Sequence, residues 1–524
     1  MTKHHRHLWA GLGLGALLSF TAPAMADELV AALKGSEVGV STYDMLKAIN
    51  SNVASTLIYD PLIEQDANHG YVPALAESWE EAPDGLQWTF YLKKGVKFHN
   101  GIDFNAQAVA DWLAMFKGTD FDYYLGAVKE IVVVDDHTIR LDMTRPDPNL
   151  LYNLSTPFGG VMEPGARKAD GENYGLTAAV GTGPYKLESF AVGQETVLVR
   201  NDDYTWGAKT ATNTGPANIE RIRLREIGEA STSFLELQTG GVDMLLGVSQ
   251  EFLSEAASLP NIKLMTMPDL EIYYLGMNVT AAPFDDIRVR QAAALAVNQQ
   301  AIKDNLYGGA GNIPSTFMIA SLPEEKVADQ FRIKFDLDKA KALLDEAGWV
   351  AGADGIRAKD GQPLKITLWT QSDSNFRRVT EVIQAQLKDA GFAAEILTFD
   401  SATIRDQYKA GTHQAAVRSY FYDNATILDW FFGGDRLGYP NISMLNDPKA
   451  EELRTTAMTG SKTGEEFTKN FIAYHEYILS QFPFAPIYEP VGNIAYNADR
   501  VIMPETINSP VFQRAAIMDL KLAN

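Results

Sequence analysis

Between residues 71 and 104, Trp79, Trp88, Phe90, Tyr91 and Phe98 alternate with polar residues on either side of Pro83, Asp84 and Gly85. A period of two around a turn tripeptide predicts a β-hairpin with a packed face, so these rings read as core before ligand contact. A strand is expected over 27–34, a helix over 45–62 ending near Pro61, a capped helix over 105–116, and a second hairpin over 131–141 turning at Asp135 and Asp136. Beyond about residue 330 the pattern sharpens. A helix over 338–347 stops at Gly348, a strand covers 364–369, a helix over 376–390 stops at Gly391, and a strand covers 394–399. Strand, helix, strand in that order predicts a right-handed βαβ unit with a parallel pair, and ligands collect beyond the carboxyl ends of such strands. A further strand over 415–422 delivers Asp423 and Asn424 at its end. Sheet and helix alternate without a fixed repeat, which predicts an α/β or α+β architecture and excludes a solenoid.

The amino-terminal segment follows another logic. Lys3 and Arg6 precede an apolar run over 8–20, and Ala24-Met25-Ala26 has the small-residue spacing of a signal-peptidase site. Residues 1–26 are therefore expected to be a cleaved secretory leader, and the run is too short for a membrane anchor. The leader's glycines at 11, 13 and 15 resemble part of a dinucleotide fingerprint but lie in the discarded segment. A chain of 524 residues with 46% hydrophobic positions buries several cores, and its formal net charge of −22 disfavours nucleic acid or an anionic membrane as partner. Zero cysteines remove disulfides, lipid attachment after the leader, thiolate metal sites and thiol catalysis. Such a protein is expected in the periplasm, soluble and monomeric.

Catalytic patterns are missing. His69, His99, His137, His413 and His475 each stand alone, with no HxxxH pair, nucleophile elbow, Walker motif or EF-hand loop. Gly181, Gly183 and Pro184 form a backbone turn with no phosphate-loop lysine, Lys93, Lys94 and Lys97 read as a solvated face, and Asp285 with Asp286 reads as a helix start. The expectation is a binding protein with no cofactor, no metal and no catalytic residue.

Four stretches then resemble one family. They are PALAESWEEAPDGLQWTFYLKKGVKFHNGIDF (73–104), GTGPY (181–185), LGMNVTAAPFDDIRVRQAAALAVNQQAI (275–302) and DKAKALLDEAGW (338–349). In this order they are similar to the solute-binding proteins of bacterial peptide and nickel ABC importers, and the likeness extends over 27–524. The resemblance implies an α/β, two-lobed, type II periplasmic-binding-protein fold with a subdomain inserted in the first lobe. The first lobe is expected over 27–272 with the insertion at about 65–185, the second lobe over 273–490, and a return to the first over 491–524. It also implies ligand enclosure between the lobes and delivery to a permease in the inner membrane, with the dipeptide and glutathione binders most similar.

Candidate ligand contacts follow from both lines. After Trp369 comes a polar loop opening a helix, where Ser372 and either Arg377 or Arg378 offer donors to an anionic ligand end, unless Asp373 already satisfies that helix. In the peptide binders the segment matching 420–432 carries an aspartate that pairs with the ligand amine. Asp423 is the matching residue and Asp429 the second candidate, because one additional residue here shifts the register. Asn424 adjoins them, and Trp369, Tyr420 and Tyr422 offer stacking surfaces. On the first-lobe side Asn50 and Ser51 supply polar groups. The expected cargo is a small peptide-like solute; the alternatives are an opine, an oligosaccharide or a metal chelate on the same fold, and a rival of another class is a periplasmic hydrolase.

Overall fold

The computed structural model describes residues 28–33, 39–48, 50–119 and 121–523. The expected leader lies outside them. A seven-stranded sheet is built around the strand Glu28–Leu33, which pairs in parallel with Arg221–Glu226 from Glu28 opposite Arg221 to Leu33 opposite Glu226. Its far edge holds Ile262–Pro268 against Val491–Asn497, so the end of the chain returns to the sheet where it began. A second sheet of five strands runs Ala393–Phe399, Lys365–Gln371, Ala415–Phe421, Glu271–Met277, Phe484–Tyr488. The chain leaves the first sheet at Pro268 and enters the second at Glu271, then leaves at Tyr488 and re-enters the first at Val491. Two short crossings therefore join two lobes. Leu270, in the first crossing, has φ +49, a conformation that costs a β-substituted residue energy and marks a local change of strand direction.

The local signals explain most elements. The hairpin strands Ala76–Glu81 and Gln87–Leu92 pair antiparallel, Thr138–Met143 and Val128–Asp135 complete a four-stranded sheet, and Trp88, Phe90 and Phe98 are buried as the alternation predicts. Asn105 caps Ala106–Ala114, Asp336 caps Leu337–Glu346, and Gly391 ends Ser374–Ala390 in the left-handed region at φ +111. Lys365–Gln371 and Ala393–Phe399 form the parallel pair of the βαβ unit. The helix expected over 45–62 is only Val53–Ile58: Asn52 adopts extended backbone and accepts from Ala54 N–H, so the preceding residues turn instead. Lys93 is not on a solvated face, since its ammonium donates to the Trp206 carbonyl at 2.7 Å. Among the described residues no helix is long and apolar enough to cross a membrane.

Several charges buried inside each lobe are paired. In the first, Arg514 from the returning segment reaches Asp60 at 2.6 Å and Glu64 at 2.5 Å, while Tyr204 and Thr182 donate to the Asp60 carboxylate at 3.0 Å each. Gly181 and Gly183 press on the helix Val53–Ile58, and a Cβ on Gly183 would stand 2.2 Å from the Leu57 carbonyl oxygen. Gly183→Ala is therefore expected to destabilise the protein by about 1–3 kcal/mol in denaturant unfolding. Gly464→Ala, where an added Cβ meets nothing within 4 Å, should be neutral or stabilise by up to ~1 kcal/mol. Equal effects of the two substitutions would contradict this account of the close approach.

Candidate functional site between the lobes

The strand Ala415–Phe421 ends at the seam between the lobes and puts Asp423 there. Facing it is the helix Leu150–Ser155 of the first lobe, on which Asn149 and Tyr152 lie one turn apart and so point the same way. The Tyr152 hydroxyl donates to the Asp423 carboxylate in a short hydrogen bond, and the Asn424 amide donates to Asn149 Oδ1 at 3.2 Å. The turn between strands Ile63–Gln65 and Tyr71–Pro73 brings His69 to the same place. Asp66 builds that turn by accepting from the backbone of Asn68 and Gly70, both at 2.9 Å, with His69 held at φ +60. Neither ring nitrogen of His69 has a hydrogen-bond partner among the described residues.

Asp423 still opens partly to the cleft, yet protein crowds it from both lobes. Burial raises its pKa above the ordinary aspartate value, and the Tyr152 hydrogen bond and the nearby His69 only partly offset this. No arginine or lysine forms an ion pair with it among the described residues. His69 is lowered by burial, with Asp423 and Asp66 pulling the other way. The remaining buried histidines belong to the cores: His99 and His475 are each lowered to about 4 by burial, and His413 is lowered for the same reason. Around the carboxylate the walls are aromatic. Tyr71, Tyr124 and Tyr152 approach it from the first lobe, and the exposed Tyr123 faces Tyr420 across the seam.

The residues singled out from sequence divide between this seam and the interior of the second lobe. Asp423 and Asn424 meet the first lobe, and Tyr420 is partly exposed beside them. Tyr422 is turned inward, where its hydroxyl donates to the Phe317 carbonyl and its ring stacks on Phe317. Trp369 is also internal, with its ring centroid 4.9 Å from Phe399 and 5.7 Å from Tyr408. Asp429 is committed within its lobe to Arg454 and, at 3.0 Å, to Arg436. The polar loop after Trp369 is self-satisfied, because Asp373 accepts from Asn375 N–H at 2.8 Å and Phe376 N–H at 3.2 Å. Ser372 and Arg377 are exposed beside it. Asn50 and Ser51 are half-buried ahead of the helix that Asn52 caps. Tyr152, Asn149, Tyr71 and Tyr124 were not found from sequence, since no spacing links residues 69–152 to residue 423; the isolated His69 was the one signal on that wall.

Among the described residues no group of His, Asp and Glu side chains is arranged to hold a metal ion. Residues 70–438 match the family described as bacterial extracellular solute-binding proteins, family 5 Middle. The chain is 28% identical over 497 residues to heme-binding protein A of Haemophilus influenzae, covering 87% of this chain and 86% of that one. It is 28% identical over 453 residues to the dipeptide-binding protein of Escherichia coli, covering 80% and 81%. NikA from Brucella suis, solved in complex with Fe(III)-EDTA, superposes with a TM-score of 0.81 at 23% identity, covering 94% of this chain and 100% of that one. The fold is thus the mixed α/β, type II periplasmic-binding-protein fold that the sequence motifs implied.

The raised pKa of Asp423 has a signed consequence. A carboxyl whose folded value lies above its unfolded value destabilises the folded state when ionised, and that cost fades as pH falls through the folded value towards about 4. Asp423→Asn should therefore be more stable than the parent at neutral pH in the absence of ligand, with the advantage shrinking on acidification. Paired thermal melts from pH 7 to about pH 4 check this, and a difference that does not change with pH would show that no ionised, desolvated carboxylate stands at this position.

Proposed function

We propose a cargo and a delivery route for this chain, which belongs to the bacterial extracellular solute-binding proteins, family 5. It is a solute-binding protein of an ABC importer. On our reading it is exported to the periplasm, loses residues 1–26, works as a monomer, and captures a small peptide-like solute between a lobe of 27–272 with 491–524 and a lobe of 273–490. It then presents that solute to the inner-membrane permease with no bond made or broken. The observation that carries the cargo is Asp423: a carboxylate crowded by both lobes, whose side-chain hydrogen bond comes from the Tyr152 hydroxyl and which has no ion-pair partner among the described residues. A solute ammonium placed there supplies the missing charge, and Asn424 and the rings of Tyr71, Tyr123 and Tyr420 complete the walls. Closure is favoured because the ligand meets both walls only in the closed form.

The test begins with native mass spectrometry of ligand carried through purification without refolding. A cargo with a free amine fits the reading; an opine, oligosaccharide or chelate lacking one overturns it. With that ligand, Asp423→Asn should cost on the order of 2–5 kcal/mol of binding in titration calorimetry while the fold survives. Asp429→Asn is the contrasting variant. It breaks a buried carboxylate from Arg436 and Arg454, and should lower stability by roughly 3–5 kcal/mol with little change in the affinity of the remaining folded protein. The ligand should also emerge chemically unchanged from prolonged incubation with excess protein, and conversion to a new species would revive the hydrolase reading.

A further inference from the structure

Arg418 sits in the strand Ala415–Phe421 with 6% of its surface exposed, and no carboxylate pairs with it among the described residues. Rings surround it instead. Its Cζ lies 5.3 Å from the ring centroid of Tyr408, 5.5 Å from Phe431 and 5.2 Å from Tyr439, and Tyr274 is its register partner on the adjacent strand. The guanidinium donates a hydrogen bond to the Tyr439 side chain, and ring faces attract it, but they do not satisfy its remaining N–H groups as acceptors would. Among the described residues Nη1 of Arg418 has no hydrogen-bond partner, and neither do the buried hydroxyls of Tyr274 and Tyr408. The Arg418 charge acts on both hydroxyls, so these orphaned donors share one positively charged locality. Unpaired buried donors are rare because each costs free energy, and donors gathered at a positive charge are what an anion requires. Tyr420 follows two residues later on the same face of the strand, rests on Phe431 at 4.9 Å, and stands between this cluster and the seam where Tyr123 approaches.

We propose that Arg418 with the hydroxyls of Tyr274 and Tyr408 forms an anion subsite of the second lobe, which takes a carboxylate-class group behind the Tyr420 ring. The subsite rests on the function proposed above only for the source of that group: the carboxylate of the captured solute, or a small free anion. It stands apart from the polar loop at 372–378, whose helix end Asp373 already caps. With Asp423 at the end of the same strand segment, one lobe then presents a site for each sign of charge.

The test uses the purified protein and sodium acetate as probe, with sodium chloride at matched ionic strength, read by thermal melts of the parent, Arg418→Met, Tyr408→Phe and Asp423→Asn. Acetate should stabilise the parent, and the concentration for half the effect should rise at least about tenfold in Arg418→Met and in Tyr408→Phe, the size expected for one charge-assisted hydrogen bond. Asp423→Asn should keep the parent response, so failure here is separate from failure of the amine contact. An equal response to chloride assigns the subsite to a free anion. Tighter binding of trialanine than of its carboxyl-terminal amide, with the preference lost in Arg418→Met, assigns it to the solute carboxylate. Arg418→Met removes an uncompensated buried cation and should melt no lower than the parent without anion. If it fails to fold, Tyr408→Phe carries the test, since it keeps the ring and removes only an unpaired hydroxyl. Identical anion responses in the parent and both variants overturn the proposal.

Discussion

At the seam stands a carboxylate, Asp423, with no ion-pair partner among the described residues. Taking an ionised group out of water is costly, and one hydroxyl donor recovers only part of that cost. Asp423 receives its donor from Tyr152 of the opposite lobe, so its desolvation and the approach of the lobes are the same event. The lobes are joined covalently by the crossings at 269–270 and 489–490, and elsewhere by contacts such as Asn424 to Asn149 and the Gln250 side chain to the Tyr307 carbonyl. On the closure proposed above, the free energy of bringing the lobes together is sensitive to what neutralises Asp423. A ligand that contributes a positive charge there gains differential affinity for the closed form, which is the only currency with which it can shift a conformational equilibrium.

The contrast with the lobe interiors is instructive. Asp60 and Glu64 are met by Arg514, and Asp429 by Arg436 and Arg454, each within one lobe. These pairs lie within single lobes, so they keep each body intact and, on the closure proposed above, would not discriminate between open and closed forms. Asp423 on the seam and Arg418 behind Tyr420 have no ion-pair partner among the described residues. Other buried groups also do without an ion pair, Arg290 on backbone carbonyls and Glu324 and Glu489 on neutral donors, so what distinguishes Asp423 and Arg418 is their position.

What could be seen in the sequence follows the range of the interactions involved. Period-two alternation exposed the 71–104 hairpin, glycine stops exposed the helices before Gly348 and Gly391, and the strand ending near residue 422 placed Asp423 at a carboxyl end, all from contacts within one element or between neighbours. The opposite wall was hidden, because Tyr152 meets Asp423 across 271 positions and no local pattern encodes such a meeting. Polarity also misled where a group was already satisfied locally. Asp429 had the charge for an anchor but is held by two arginines, and Trp369 and Tyr422 had suitable rings but face their own core. Residue type announces what a side chain can do; its partners in the fold decide whether it remains available.

If Asp423 and Arg418 act as proposed above, two charges of opposite sign on one strand segment bear on selectivity as well as affinity. A solute with only an ammonium leaves the Arg418 donors without an acceptor, and one with only a carboxylate leaves Asp423 desolvated without its cation. In a buried site, failing to satisfy such a group costs more than an additional apolar contact returns, so discrimination comes chiefly from the penalty on incomplete partners. The aromatic walls act differently. Tyr71, Tyr123 and Tyr420 offer broad faces that accept many side groups with similar energy. On this reading the charged ends define the class of solute, the rings tolerate variation between the ends, and a binding protein arranged this way collects a chemical class in preference to a single compound.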